Sequence, residues 1–294
     1  MENLILQIIN GLQLGMVYAL IALGYTMVYG IIKLINFAHG DVFMVGAFMG
    51  YFAFTNWGCS IPVSILIAMV TCSVLGIVIE RLAYRPLRYA PKIAALISAL
   101  GVSLFLEYFC SLSFVFGPNF RVVTAPLKVV QYNLGFLHIT NVQLLIFGTV
   151  IIMLLGLQYL VYRTKTGIAM RTVAFDHDAA RLMGINVDYI ISLTFGIGSA
   201  LAGAGGVLFA IAYPQIQPFM GIMPGLKAFT AAVLGGIGSI PGAVLGSLIM
   251  GQAEILTAAY ISSQLKDAIA FAILILVLLV RPTGILGRTG REKV

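Results

Sequence analysis

Long uncharged stretches divide the chain into apolar segments. Residues 3–32, 42–79, 129–162 and 189–226 each lack Asp, Glu, Lys and Arg. Because a helix needs about 20 apolar residues to cross the hydrocarbon core of a membrane, the longer stretches must fold back within themselves. The apolar segments and the residues that interrupt them predict helices at 4–32, 42–57, 61–80, 93–116, 142–162, 189–212 and 265–280. This pattern is typical of an all-α, polytopic transmembrane helical bundle with about eight spans, seven at the fewest and nine at the most.

Glycine indicates that some of these helices are broken or re-entrant. Residues 226–262 are Gly-rich and long enough for two short or broken helices. The run from Gly235 to Gly242 is too dense in Gly and Pro for an unbroken helix. Irregular backbone at membrane depth is tolerated where it is buried in protein or lines a wet cavity, so we favour a cavity-lining role over a tight interhelical turn. Three GxxxG pairs predict close helix crossings, namely Gly11/Gly15, Gly46/Gly50 and Gly242/Gly246.

The two halves of the chain share a faint pattern. Each half has a Gly-rich helix, within 4–32 and within 189–212, and a polar interruption follows each, at 36–41 and at 224–227. Internal repeats of this kind are common in transporters, which bind substrate where broken helices meet. The pattern therefore supports the hypothesis of two related halves.

Composition and charge agree with a membrane location. The 294 residues are 61% hydrophobic and 9% charged, against about 25% charged residues in soluble domains. Twelve of the 17 Lys and Arg residues fall in three segments, at 81–92, 163–181 and 281–293. Short basic loops stay cytoplasmic, so we place these segments inside, the N-terminus and the 117–141 loop outside, and expect no nucleic-acid partner. The chain is then one transmembrane domain, 1–294, with a cytoplasmic loop at 163–188.

Several polar residues interrupt the apolar helices. An ionisable residue within a membrane span is by default a functional candidate, although Asn36 and Asp41 could also be helix N-caps. Lys227 and Glu254 could each line a pathway, extend to the membrane surface or pair with a partner elsewhere in the chain, and for Lys227 we favour the membrane surface. Glu107 is expected to face the bundle interior. The candidate residues of a translocation pathway are Asn36, His39, Gly40, Asp41, Lys227, Gly235, Gly236, Gly238 and Glu254.

The predicted inside loop contains a short amphipathic helix at 174–184. Asp176 is its predicted N-cap and Gly184 its C-terminal stop, and Asn186 caps the next membrane helix. An exposed apolar face on such a helix suits docking into a partner's groove, which we favour over a helix lying on lipid. The candidate docking residues are Asp176, Asp178, Ala179, Arg181, Leu182, Met183 and Gly184.

No energy-converting or catalytic motif is present in the sequence. There is no phosphate-binding GxxxxGK[ST] loop, no HExxH and no GxSxG, and the three cysteines lack metal-ligand spacing. We therefore expect no enzyme activity and no metal site, and a partner must supply the energy for uphill transport. An ion-coupled carrier or a passive channel is the alternative.

Long motifs resemble one known family. They occur at 15–30, 35–41, 80–86, 182–186, 227–242 and 281–287. In this order they are similar to the permeases of branched-chain amino-acid ABC importers, specifically the LivH-type subunit. The 117–141 loop is the least family-like part.

The resemblance implies a set of partners and a place in the cell. It implies a second related permease subunit (LivM-like), two cytoplasmic ABC ATPases and a periplasmic amino-acid-binding protein that delivers leucine, isoleucine or valine. The chain would then be a multi-pass protein in contact with the lipid of the bacterial inner membrane, with no cofactor of its own and ATP used by the partner subunits. Residues 174–184 would receive the ATPase stroke, and 36–41 and 235–242 would lie near the pathway. A permease for urea or short amides is the alternative within the ABC class.

Overall fold

The computed structural model describes residues 2–88, 90–134, 137–281 and 283–287 and confirms an all-helical polytopic membrane protein. Its helices are α1 (Glu2–Ile32), α2 (His39–Thr55), α3 (Ile61–Ile79), α4 (Lys92–Ser111), α5 (Asn141–Arg163), α6 (Lys165–Phe175), α7 (His177–Leu182), α8 (Val187–Ala212), α9 (Ile222–Gly235), α10 (Ile240–Tyr260) and α11 (Lys266–Val280). A π-helical turn, Glu80–Tyr84, continues α3. Four short strands complete the fold: β1 (Arg121–Val122), β2 (Gln131–Leu134), β3 (Leu137–Thr140) and β4 (Gln215–Ile216).

Local sequence signals set several helix boundaries. Thr140 and Gln143 form a capping box at the start of α5, which satisfies two backbone groups that the first turn leaves free. The Asn186 side chain accepts a hydrogen bond from the Tyr189 backbone at the start of α8, as predicted. Proline stands in the first turns of α3 and α10, where its missing N–H is not needed. Helix α6 was not predicted, and Thr164 caps it.

Among the described residues, six helices are long and apolar enough to cross a membrane: α1, α3 with its π-helical turn, α4, α5, α8 and α10. Helices α2, α9 and α11 have 17, 14 and 15 residues. The chain enters α2 through irregular backbone at 33–38, where Lys33 has φ 55°. It enters α9 through irregular backbone at 217–221. The predicted 226–262 region forms two helices joined by a turn, as expected.

The basic segments meet at one end of the bundle. A guanidinium nitrogen of Arg85, in the first basic segment, lies 2.6 Å from the Asp188 carboxylate at the start of α8. Helix α8 follows the second basic segment in the chain, so the two segments lie at the same end. The third basic segment also reaches this end, because the backbone around Gly284 packs against Gly236 in the turn between α9 and α10. The same turn lines a cleft together with Lys33 and Arg171. By the positive-inside rule this end is cytoplasmic. The predicted inside residues Arg288, Arg291 and Lys293, and Pro282 of the last motif, lie outside the described residues.

The outer end carries the strands. β1 and β4 pair antiparallel, with Arg121 opposite Ile216 and Val122 opposite Gln215. β2 and β3 form a hairpin within the same outer loop. The 117–141 loop is thus joined to the connection between α8 and α9.

Helices α1–α4 and α8–α11 form two halves that run in opposite directions. Helix α1 runs from outside to inside and packs against α10, and α8 runs from inside to outside and packs against α3. The halves cross where a Cβ added to Gly24 would lie 2.9 Å from the Gly198 carbonyl oxygen. The starts of α2 and α9 also touch, at Gly40 and Gly221. The predicted two-half pattern is therefore an inverted repeat, as in many transporters.

The predicted GxxxG pairs lie at helix crossings. A Cβ added to Gly15 would be 2.9 Å from the Leu248 Cα in α10, and one added to Gly46 would be 2.5 Å from the Gly203 Cα in α8. Gly246 similarly packs against the backbone of α9. Close backbone approach compensates for the missing hydrophobic drive between helices in lipid.

Replacing Gly46 with Val is expected to lower the free energy of unfolding by about 1–3 kcal/mol, because the new side chain must push α2 away from α8. Unfolding in a denaturing-detergent titration, followed by circular dichroism, measures the change. Gly101→Val is the matched control, since no atom lies within 4 Å of a Cβ added at Gly101. Equal stability of the two variants would contradict the assigned crossing.

Candidate translocation site

A cavity of about 610 Å³ opens between α1, α8, α9, α10 and α11 in the outer half of the bundle. Its polar lining consists of Tyr18, Tyr213, Gln215, Gln217, Lys227, Glu254, Lys266 and Asp267. The rest of the wall is mainly apolar and includes Leu14, Phe209, Phe219, Met220, Met223 and Ile255. We call this space the outer cavity.

Two of the predicted pathway residues meet in the wall of the outer cavity. The Lys227 Nζ lies 2.5 Å from Oε1 of Glu254 and 2.6 Å from Oδ1 of Asp267. The Tyr18 hydroxyl donates to Oε2 of Glu254 at 2.9 Å, and the Lys266 Nζ stands 3.9 Å from Oε1. Lys227 is only 3% exposed. The expectation that it extends to the membrane surface is wrong, because two carboxylates hold it inside the protein.

An aromatic cluster lies on the cytoplasmic side of the outer cavity. The ring of Tyr25 is 5.7 Å from that of Phe229 and 4.7 Å from that of His39, and Phe37 packs against Phe229 at 6.4 Å. The space next to Tyr25 and Phe229 has no room for a water molecule. The rings of the cluster thus pack closely on the cytoplasmic side of the outer cavity.

The other predicted polar segment forms a separate buried cluster. Asn36 Oδ1 accepts a hydrogen bond from the Tyr84 hydroxyl at 3.0 Å, and Asp41 Oδ2 accepts one from Ser103 at 2.5 Å. Glu107 is buried, as expected. The N-cap interpretation of Asn36 and Asp41 is wrong, since α2 begins at 39 and its N-cap makes no side-chain hydrogen bond. These side chains connect distant helices instead.

His39 and Gly40 lie where the two halves cross. The His39 ring fills the space beside Gly24, where a Cβ would collide with it. Gly40 contacts the backbone of Gly221 and Gly225. Neither residue lines the outer cavity.

The glycine run from Gly235 to Gly242 forms a tight turn at the cytoplasmic end. Gly236 and Gly238 have φ values of 103° and 95°, a conformation that residues with a Cβ rarely adopt. Gly235 packs against Gly242 across the turn. Gly238 also lines a cytoplasmic cleft of about 380 Å³. The tight-turn interpretation thus describes most of the run, and Gly238 is the member that faces a cleft.

A network of charged side chains lies at the cytoplasmic end and was not predicted. The Arg88 guanidinium lies 3.0 Å from the Glu80 carboxylate and also forms an ion pair with Asp188. Arg85 forms a second ion pair with Asp188. The Ser192 hydroxyl donates to Glu80 at 2.6 Å. Glu80 is fully buried. The network ties the π-helical turn to the first turns of α8, next to the cytoplasmic loop.

Replacing Arg88 with Met is expected to lower the free energy of unfolding by about 2 kcal/mol, because Glu80 stays buried after losing its charged partner. Arg85→Met is the matched control, since its side chain is 49% exposed and exposed pairs contribute about 1 kcal/mol or less. Unfolding in a denaturing-detergent titration measures both. Equal losses would contradict the assignment of Arg88 as the buried partner.

The predicted cytoplasmic helix is present as α7, shorter than 174–184. The Asp176 carboxylate accepts hydrogen bonds from the backbone of Asp178 at 2.8 Å and of Ala179 at 3.0 Å, which confirms the predicted N-cap. Gly184 ends the helix with φ 78°. Leu182 is 89% exposed. The remaining members of the predicted docking set fit this surface: Ala179 is exposed, Met183 is exposed, and Arg181 pairs with Asp178 at 3.6 Å.

Helix α7 is anchored to the transmembrane bundle. The His177 Nε2 lies 3.2 Å from the carbonyl oxygen of Ile31, at the end of α1. Ala180 is buried. One face of α7 therefore contacts the bundle and the other face is exposed, as expected of a docking surface.

The inverted repeat, the broken helices and the anchored cytoplasmic helix define the class: a polytopic membrane permease with a transporter fold. Residues 7–278 match the family described as "Branched-chain amino acid transport system / permease component". The chain therefore belongs to the branched-chain amino acid transport permease family, whose members are non-catalytic membrane subunits of ABC transporters.

Individual relatives cover nearly the whole chain. The high-affinity branched-chain amino acid transport system permease protein LivH of Escherichia coli K12 is 46% identical, over 98% of this chain and 97% of its own length. BraD of Pseudomonas aeruginosa, described in the same words, has the same identity and coverage. A probable LivH of Methanocaldococcus jannaschii is 31% identical over 91% of this chain and 88% of its own length.

A solved structure has the same fold. The similarity is to PsaBC from Streptococcus pneumoniae in complex with Fab, with a TM-score of 0.51 and 12% identity, over 93% of this chain and 91% of that chain. At this identity the likeness concerns the fold alone.

Proposed function

We propose that this chain forms part of the transmembrane pathway of an ATP-driven importer of leucine, isoleucine and valine. The observation that carries the proposal is the 46% identity, over 98% of the chain, to permeases named for high-affinity branched-chain amino acid transport. Residues 1–294 act as one permease domain in the inner membrane of a bacterium, and residues 163–188 are its cytoplasmic coupling loop.

The proposed partners supply what the chain lacks. Membership of an ABC transport system implies ATPase and binding-protein partners. We assign two cytoplasmic ATPases, a second LivM-like permease and a periplasmic receptor for branched-chain amino acids. The permease needs no cofactor, because the partner ATPases bind and hydrolyse the ATP.

The translocation step follows from the position of the outer cavity. An amino acid released by the receptor enters it, and the aromatic cluster of Tyr25, Phe37 and Phe229 blocks its way to the cytoplasm. Movement of α7 by the ATPases is passed to the bundle through the contact of His177 with α1. The network of Glu80, Arg88 and Asp188 lies beside α7 and passes the movement to the Tyr84–Asn36 contact. Parting of the aromatic cluster then opens the cytoplasmic side.

The apolar wall of the outer cavity favours aliphatic amino acids over urea. Phe209, Met223 and Ile255 give an aliphatic side chain a surface on which to be buried, and urea has no such side chain. Burial of an aliphatic side chain against them is favourable by about 25 cal/mol per Å² of apolar surface.

A competition experiment tests the substrate class. Cells that lack other leucine uptake systems express the complete transporter, and uptake of labelled leucine is measured against an excess of unlabelled competitor. We expect isoleucine and valine to abolish uptake, and urea and acetamide to leave it unchanged. Inhibition by urea or acetamide, with none by isoleucine, would overturn the proposal.

A further inference from the structure

The outer cavity contains more charged residues than are needed for one ion pair between helices. Lys227 and Glu254 are both buried and already join α9 to α10. Lys266 and Asp267, at the start of α11, have side chains that are 42% and 37% exposed. Lys266 is only loosely paired, at 3.9 Å from Glu254. One cation and one carboxylate of the cluster are thus within reach of a solute in the cavity.

The formal charges of the cluster cancel. Two lysines face two carboxylates, so the cavity can admit a neutral zwitterion without leaving a net charge in the protein. A ligand that carries only a carboxylate or only an ammonium group would leave one charge uncompensated at a partly buried site, which is unfavourable. The arrangement therefore discriminates by charge pattern as well as by shape.

We propose that the outer cavity is a binding site for a free amino acid, in which each end of the zwitterion has its own partner. Lys266 binds the α-carboxylate, while Asp267 and Glu254 accept hydrogen bonds from the α-ammonium group. A carboxylate offers about four acceptor positions, so both acidic groups can serve Lys227 and the ligand together. The inference rests on the proposed function and assigns its substrate contacts.

The remainder of the cavity suits the aliphatic side chain. Leu14, Phe209, Met223 and Ile255 line the same cavity and offer it an apolar surface. Its volume of about 610 Å³ falls in the range of about 300–1,000 Å³ found for small-molecule pockets. The amino acid is thereby oriented with its charged end against α11.

Binding to the complete transporter, purified with its ATPases and without the receptor, tests the site. Labelled leucine is titrated onto the wild-type complex and onto variants Lys266→Met and Asp267→Asn, and leucinamide and 4-methylpentanoate are used as competitors. We expect each variant to weaken leucine binding about tenfold or more, the usual effect of losing a hydrogen bond to a charged group. Lys128→Met, an exposed lysine of the outer loop, is the matched control and should bind as the wild type does.

The analogues assign each contact. The wild type should prefer leucine to both analogues, whereas Lys266→Met should lose its preference over leucinamide and keep its preference over 4-methylpentanoate. Absence of saturable leucine binding by the wild type, or unchanged binding in both cavity variants, would overturn the assignment. ATP-dependent leucine uptake by the wild type with its receptor is measured in parallel. Uptake without cavity-dependent binding refutes the site alone, whereas absence of uptake refutes the proposed function.

Discussion

Lys227→Met is expected to lower the free energy of unfolding by about 3–5 kcal/mol, because it removes the buried cation in direct contact with the buried carboxylate of Glu254. Lys227 contacts both Glu254 and Asp267, so this one change removes the charge that compensates two carboxylates. Glu254 is 6% exposed, and Lys266, at 3.9 Å, replaces the lost contact only in part. The loss is measured by unfolding in a denaturing-detergent titration followed by circular dichroism.

Two further variants make the prediction specific. Glu254→Gln should be less damaging than Lys227→Met, because the lysine keeps its contact with Asp267. The double variant Lys227→Met/Glu254→Gln should recover part of the loss, since it removes both members of the most buried pair. A loss of less than about 1 kcal/mol for Lys227→Met, as for an exposed pair, would contradict the buried ion cluster.

Leu182→Asp is expected to weaken binding of the partner ATPase about thirtyfold or more, the effect of losing an apolar anchor at the centre of an interface. Leu182 is 89% exposed in the isolated chain, so the substitution leaves the fold intact. A charged side chain would have to enter the apolar groove that receives α7. Biolayer interferometry between the detergent-solubilised permease and its ATPase measures the change.

Val122→Asp is the matched control for this prediction. Val122 is apolar and 66% exposed, and it lies in β1 on the opposite, outer side. It should bind the ATPase as the wild type does. If Leu182→Asp also binds normally, α7 lies on the lipid surface and the docking assignment is wrong.

Features that depend on neighbouring residues were predictable from the sequence. Asp176, Gly184 and Asn186 form the boundaries that were expected of them, because caps depend on hydrogen bonds within a few residues. The GxxxG pairs also predicted crossings, since small residues are required wherever backbones touch. The resemblance to a known permease family was confirmed by the match over residues 7–278.

Features that depend on distant partners were not predictable. Lys227 and Glu254 were candidate pathway residues. Their partners Asp267 and Tyr18 were not predicted, because they lie on helices far apart in sequence. The apolar pattern places a polar residue within a membrane span, but it does not identify the distant side chain with which that residue pairs. Asp41 was a candidate pathway residue with a cap as the alternative, whereas it bonds to a serine 62 residues away.

We infer that this permease imports branched-chain amino acids only when ATPases drive it from the cytoplasmic side. The most direct test is uptake of labelled leucine into proteoliposomes that contain the complete transporter with its receptor, with and without ATP on the ATPase side. We predict accumulation above the external concentration with ATP, and none without ATP or with the chain alone. Accumulation by the chain alone on an ion gradient would contradict transport driven by ATPases. Uptake that is independent of ATP and stops at the external concentration would contradict it as well.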